Sequence, residues 1–223
     1  MKAIYLLLLC LAAPFFIKAQ DMHSLSLKPI SIDGSPEDWP QPFNYYDSGT
    51  KLQYAMANDT ANLYICLKIT DEPAQMKLLR AGMTVWVDPK GKRKETMGIS
   101  FPLKQDRSAE GEMPQHIRGE GQIPGQTFQK HDFRRFSARA TSQQTTIRIK
   151  GFAGVPEQSA PLKNNFQINV AFGWDTFDIL CIEYQIPLSL VLNQHLLPSY
   201  TIKPIGVGFV VNAMEISGNH GGG

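Results

Sequence analysis

Aromatic rings are the side chains of this 223-residue chain best suited to ligand chemistry. A flat ring stacks on the apolar face of a sugar, and tryptophan offers the largest face with few rotamers to freeze. The chain has three tryptophans. Trp86 alternates with Thr84 and Asp88, opposite the side holding Val85 and Val87, so it is expected to point outward from a strand. Trp174 stands where a strand runs into the polar stretch Gly173-Trp174-Asp175, a position that suits an exposed ring. Tyr46, next to Tyr45 in a loop-like stretch, adds a stacking wall. Trp86, Trp174 and Tyr46 are therefore the candidate ligand-binding residues. Trp39, between Asp38 and Pro40, reads instead as a core plug.

Bond-making chemistry has much less to work with. The chain holds no Gly-x-Ser-x-Gly, no His-Glu-x-x-His and no glycine-rich phosphate loop. Its five histidines, His23, His116, His131, His195 and His220, show no ligand spacing. A general base also needs an orienting partner, and the pattern supplies none. The carboxylate pairs Asp106/Glu110 and Glu110/Glu112 sit in a polar stretch where solvation is the expected state. The expected class is a binding protein, not an enzyme.

The N-terminus sets the setting for that binding. Lys2 precedes an apolar run from Ile4 to Phe16, broken only by Pro14, and small Ala19 stands before Gln20-Asp21. That order is a secretory signal over residues 1–19. The run falls short of the ~20 residues that span a bilayer. Export to a periplasm, cell surface or medium is the expectation. Formal net charge is +2, from 22 basic and 20 acidic residues, and losing Lys2 and Lys18 leaves 22 − 2 = 20 against 20. A neutral balance gives no electrostatic case for nucleic acid. Cys66 and Cys181 remain once Cys10 leaves; two buried thiols are the default, and a bridge is the alternative that export permits.

Period-two alternation dominates the rest. Leu52 to Asn58, a turn at Asn58-Asp59-Thr60-Ala61-Asn62 and Leu63 to Ile69 read as a hairpin, its second strand half-buried. Further strands are expected at Met83–Val87, Met97–Leu103, Phe136–Ala140, Thr145–Phe152, Phe166–Trp174, Ile179–Ile186 and Ile202–Val211. Short helices are expected at Pro73–Arg80, stopped by Gly82, and from Ser189 to before Pro198. The fold class is thus all-β: a two-sheet antiparallel β-sandwich, jelly-roll-like, with one or two short helices. One domain spans 20–216, with a long polar loop at about 104–132 and a flexible glycine-rich tail at 217–223.

Several ordered motifs resemble those of family-nine carbohydrate-binding modules and the related DOMON-type sandwiches. They are Ile32-Asp33-Gly34 with Asp38-Trp39, Tyr54 to Asp59 leading into Asn62 to Ile65, and Val85-Trp86-Val87-Asp88-Pro89. Glu183-Tyr184-Gln185-Ile186-Pro187 and Ile205 to Phe209 complete the set. The resemblance implies a sandwich that holds an oligo- or polysaccharide between aromatic rings. It also implies calcium as a stabilising ion, for which Asp33, Asp38 and Asp88 have suitable oxygens, although the residues themselves mark no metal site. Haem-binding members imply an alternative in which Met56 and a distant histidine are axial ligands. A third reading is an accessory envelope protein that uses the 104–132 loop for a partner.

Overall fold

The computed structural model describes residues 24–25, 29–104, 130–192 and 204–212. The expected signal, the tail and most of the polar loop lie outside these. Eleven strands and three helices follow in the order β1 (Ser24–Leu25), β2 (Tyr45–Asp47), β3 (Leu52–Asn58), β4 (Asn62–Ile69), α1 (Glu72–Ala81), β5 (Met83–Asp88) and β6 (Met97–Ser100). After these come α2 (Lys130–Gln143), β7 (Thr146–Lys150), β8 (Gln158–Pro161), β9 (Asn169–Trp174), β10 (Leu180–Pro187), α3 (Leu188–Val191) and β11 (Gly206–Val211).

The strands form two sheets. The first runs β1-β3-β4-β10-β9, with β2 also on β3, and the second runs β11-β5-β6-β7-β8. Every pairing is antiparallel except that of the two-residue β1 with β3. Alternation sends Leu63, Ile65, Leu67 and Ile69 of β4, with Leu180, Ile182, Tyr184 and Ile186 of β10, into the space between sheets. There they meet Val85, Val87, Ile99, Ile147 and Ile149. Burying each such aliphatic side chain stabilises the fold by about 1.5–3 kcal/mol. The Tyr184 hydroxyl crosses this layer, donating to the Phe101 carbonyl at 2.8 Å.

β4 is buried on both faces, which corrects the half-buried expectation. Its second face, Tyr64 and Cys66, joins Ala57 and Cys181 under Trp39, with Ile30, Ile32 and Phe43 packed around them. The segment leading into β2 thus roofs the outer side of the first sheet. α1 starts at Asp71, whose carboxylate accepts the Ala74 N–H at 2.9 Å, and ends at Gly82, whose N–H returns to Leu78 O.

The expected strand at Phe136–Ala140 is instead part of α2. Phe133 and Ala140 are buried, and with Phe136 they recur at the three- and four-residue intervals of one helix face. The short alternation of Phe136 to Ala140 coincides with this longer period. β2 and β8 are strands that alternation over three or four residues does not signal.

Candidate functional site

The outer side of the second sheet carries the candidate platform. Val85, Val87, Ile99, Ile147 and Ile149 point inward, so Thr84, Trp86 and Asp88 of β5 point outward with Gly98, Ser100, Arg148 and Lys150. Register places Trp86 between Gly98 of β6 and Gly208 of β11. A Cβ built on Gly98 would stand 2.7 Å from Trp86 Cζ3 and 3.1 Å from both Cε3 and Cη2. Near-equal distances to one ring carbon and its two bonded neighbours mark a point above the ring plane, not beyond its rim. The indole therefore lies face-down across Gly98, and its other face is turned away from the sheet. Trp86 as a whole is half-buried. Its Nε1 is buried with no hydrogen-bond partner among the described residues. On the other side, no described residue lies within 4 Å of where a Gly208 Cβ would be, which leaves a lane beside the ring that is open among the described residues.

Polar groups border this platform. Thr84 Oγ1 and Ser100 Oγ lie 2.9 Å apart. In the other direction along β5, the Asp88 carboxylate accepts the N–H groups of Lys90, Lys92 and Lys94 at 2.9, 2.7 and 3.0 Å. These bonds, those from Lys94 and Lys90 most strongly, hold its carboxyl below the usual range. They also curl the basic loop over one end of the face. Arg148 and Lys150 stand on the adjacent β7, opposite Ser100 and Gly98, and both are exposed.

The three expected ring residues do not gather. Trp174 shares the inward side of β9 with Val170 and Phe172 and packs half-buried against the core. Its Nε1 donates to Gln75 Oε1 at 2.8 Å. Gln75, fully buried, in turn donates to Ile69 O and Asp178 O. Trp174 therefore closes the sandwich edge against α1 and is not an open platform. Tyr46 is 60% exposed on β2, in the first sheet. Its neighbour Tyr45 stacks on Tyr54, with centroids 5.2 Å apart and an interplanar angle of 19°.

The first sheet's outer side is a closed polar cluster. Trp39 is 3% exposed and Glu183 fully buried. Glu183 Oε1 accepts the Trp39 indole N–H at 2.7 Å, and Oε2 accepts the Asp33 and Gly34 N–H groups at 3.0 and 2.7 Å. Burial pushes the Glu183 carboxyl above the usual glutamate range against the pull of these three donors. Beneath it the Cys66 and Cys181 sulfurs lie 3.3 Å apart as free thiols, and burial drives the Cys66 thiol far upward.

Asp33, Asp38 and Asp88 do not converge. Each is engaged separately, with the N–H of Ser35, of Ser31 and of the β5–β6 loop. No group of three metal-ligating side chains occurs among the described residues. Met56 packs against the interlayer core, and the side chains of all five histidines lie outside the described residues. A cavity of about 230 Å³ opens beside α1 between Thr50, Lys51, Asp71, Lys77, Leu78 and Val211. Its Lys51 and Asp71 are paired at 2.7 Å.

Sequence reading missed Gly98, Gly208, Arg148 and Lys150 as members of the site. The alternation Ile147-Arg148-Ile149-Lys150 signalled two outward cations, but only strand pairing sets them beside Trp86. No protein-family model, curated protein or solved structure matches the chain.

Proposed function

We propose that the protein is an exported, non-catalytic carbohydrate-binding domain whose platform is Trp86. The observation that carries this reading is the indole laid face-down on Gly98, with its opposite face turned outward beside the open lane over Gly208. A pyranose has an apolar face that stacks on such a ring. Its hydroxyls exchange hydrogen bonds with a rim such as the Thr84–Ser100 hydroxyl pair. A rigid strand position supports the ring, so little conformational freedom is lost on binding. Nothing in this arrangement requires a proton to move or a bond to break. The ordered resemblance to family-nine modules and DOMON-type sandwiches points the same way, and Trp86 lies within one of its motifs.

The test is a tryptophan-fluorescence titration of the folded protein with a panel of plant and bacterial polysaccharides. A saturable change is expected with at least one polymer, lost in Trp86→Ala and kept in Trp174→Phe. A folded protein that responds to none of the panel, or a response unchanged by Trp86→Ala, would sink the proposal.

A further inference from the structure

Resting on the Trp86 reading above, we infer that the polysaccharide is anionic: its sugars carry carboxylates, as in a polyuronate. Three observations about charge on the outer face of the second sheet support this. Arg148 and Lys150 are exposed, and neither side chain is joined by an ion pair or hydrogen bond to another described residue. The one acid that faces outward from β5, Asp88, is already engaged by three backbone N–H groups and is 3% exposed. The loop those bonds fold carries exposed Lys90, Lys92, Arg93 and Lys94 against a single acid, Glu95.

The spacing fits a stacked sugar with a carboxylate at its side. Gly98, on which the indole rests, pairs directly with Lys150, so that lysine's backbone is one strand, about 5 Å, from the ring's footing. Arg148 follows two residues along the same strand, about 7 Å away on the same side. Two cations thus line one edge of the platform, about 7 Å apart along the strand. A guanidinium presents a planar fork that matches a carboxylate with two parallel hydrogen bonds. Single-stranded nucleic acid also pairs cations with stacking, but its grooves use successive rings. Here Trp86 is the one aromatic residue on the outward side of the described strands of this sheet. A neutral glucan would leave both cations without a partner.

The full chain is titrated, by tryptophan fluorescence, with polygalacturonate and with the same polymer fully methyl-esterified. Polyglutamate and a single-stranded oligonucleotide serve as polyanion controls. We expect polygalacturonate to bind at least about tenfold tighter than its ester, with the difference shrinking as salt rises. The double variant Arg148→Gln/Lys150→Gln should remove that preference by weakening polygalacturonate to the level of its ester, whereas Trp86→Ala should weaken both polymers. Equal affinity for the acid and the ester, with both lost in Trp86→Ala, overturns the anionic inference and leaves the carbohydrate reading standing. So does an unchanged preference in the double variant. Polyglutamate or the oligonucleotide bound as tightly as polygalacturonate identifies a general polyanion patch and overturns the inference. Silence with both sugar polymers overturns it too, and failure of the whole polysaccharide panel removes the reading beneath it.

Discussion

The indole N–H of Trp39 donates to the carboxylate of Glu183 at 2.7 Å, across 144 residues of chain. The same carboxylate takes the Asp33 and Gly34 N–H groups, so one side chain fastens the whole roof of the first sheet. Gly34 makes the approach feasible. Its φ is +87°, and a Cβ there would lie 2.5 Å from the Phe172 backbone carbon.

Glu183→Gln keeps the shape but turns one acceptor oxygen into a donor, leaving at least one buried N–H without a partner. The expected loss is about 1–3 kcal/mol of unfolding free energy, read from urea denaturation. Trp39→Phe, which removes the indole donor, should cost a similar amount. In a double-mutant cycle the two changes should be strongly non-additive. Additive effects would show that the pair is not coupled.

Acid should weaken the fold through its turn aspartates. Asp59 accepts the N–H groups of Ala61 and Asn62 and the Tyr64 hydroxyl at 2.7–2.8 Å. These bonds outweigh its desolvation and hold its carboxyl below the usual range, and Asp47, Asp71 and Asp88 are lowered too. A carboxyl depressed in the folded state binds fewer protons there than in the unfolded chain. Its contribution is therefore full above the unfolded value near 4 and is lost as pH falls through the folded one. Glu183, raised by burial, runs the other way, its contribution falling as pH rises through the interval above about 4.5. Four groups against one predict a Tm that drops below about pH 4. Asp59→Asn should flatten that drop, and an identical slope in the variant would refute the assignment.

The thiols of Cys66 and Cys181 should be silent in the native protein. Both are buried, and burial with the neighbouring sulfur keeps Cys66 protonated well beyond ordinary pH. Only a thiolate attacks a disulfide reagent. Added to the native protein at pH 8, such a reagent should release no colour on the minutes scale. After unfolding it should titrate two thiols in protein that has lost the signal segment. Rapid native labelling would mean that the Trp39 roof opens.

The fold was legible because period two repeats over long runs. Leu63 to Ile69 and Ile179 to Ile186 announce strands whatever they pair with, and Asp88-Pro89-Lys90-Gly91 announces a turn. The burial of β4 on both faces was not legible, since Cys66 and Tyr64 are buried by Trp39 and Ile32 from a segment with no period of its own. The outward side of Trp86 could be read from Val85 and Val87. Its flat pose could not, because that depends on Gly98, twelve residues away and meaningful only through register. Trp174 misled for the reverse reason: a ring beside a polar turn looks exposed until Gln75 of α1 is found holding it.

The two glycines flanking Trp86 should respond in opposite ways. At Gly98 an added methyl would enter the space of the indole face, 2.7 Å from Cζ3, far inside van der Waals contact. The ring must lift or tilt to admit it. At Gly208 the same methyl meets no described residue within 4 Å, and its stability effect should stay within about 0.5 kcal/mol. Gly98→Ala should therefore shift tryptophan emission to the red as the indole rises into water, and should weaken polysaccharide binding along with it. Gly208→Ala should preserve both the emission maximum and the urea midpoint. The comparison separates a displaced ring from a damaged sheet, because the two glycines sit on neighbouring strands at the same level as Trp86. Equal emission spectra in the two variants would mean that the indole does not rest on Gly98, and the platform would lose its floor.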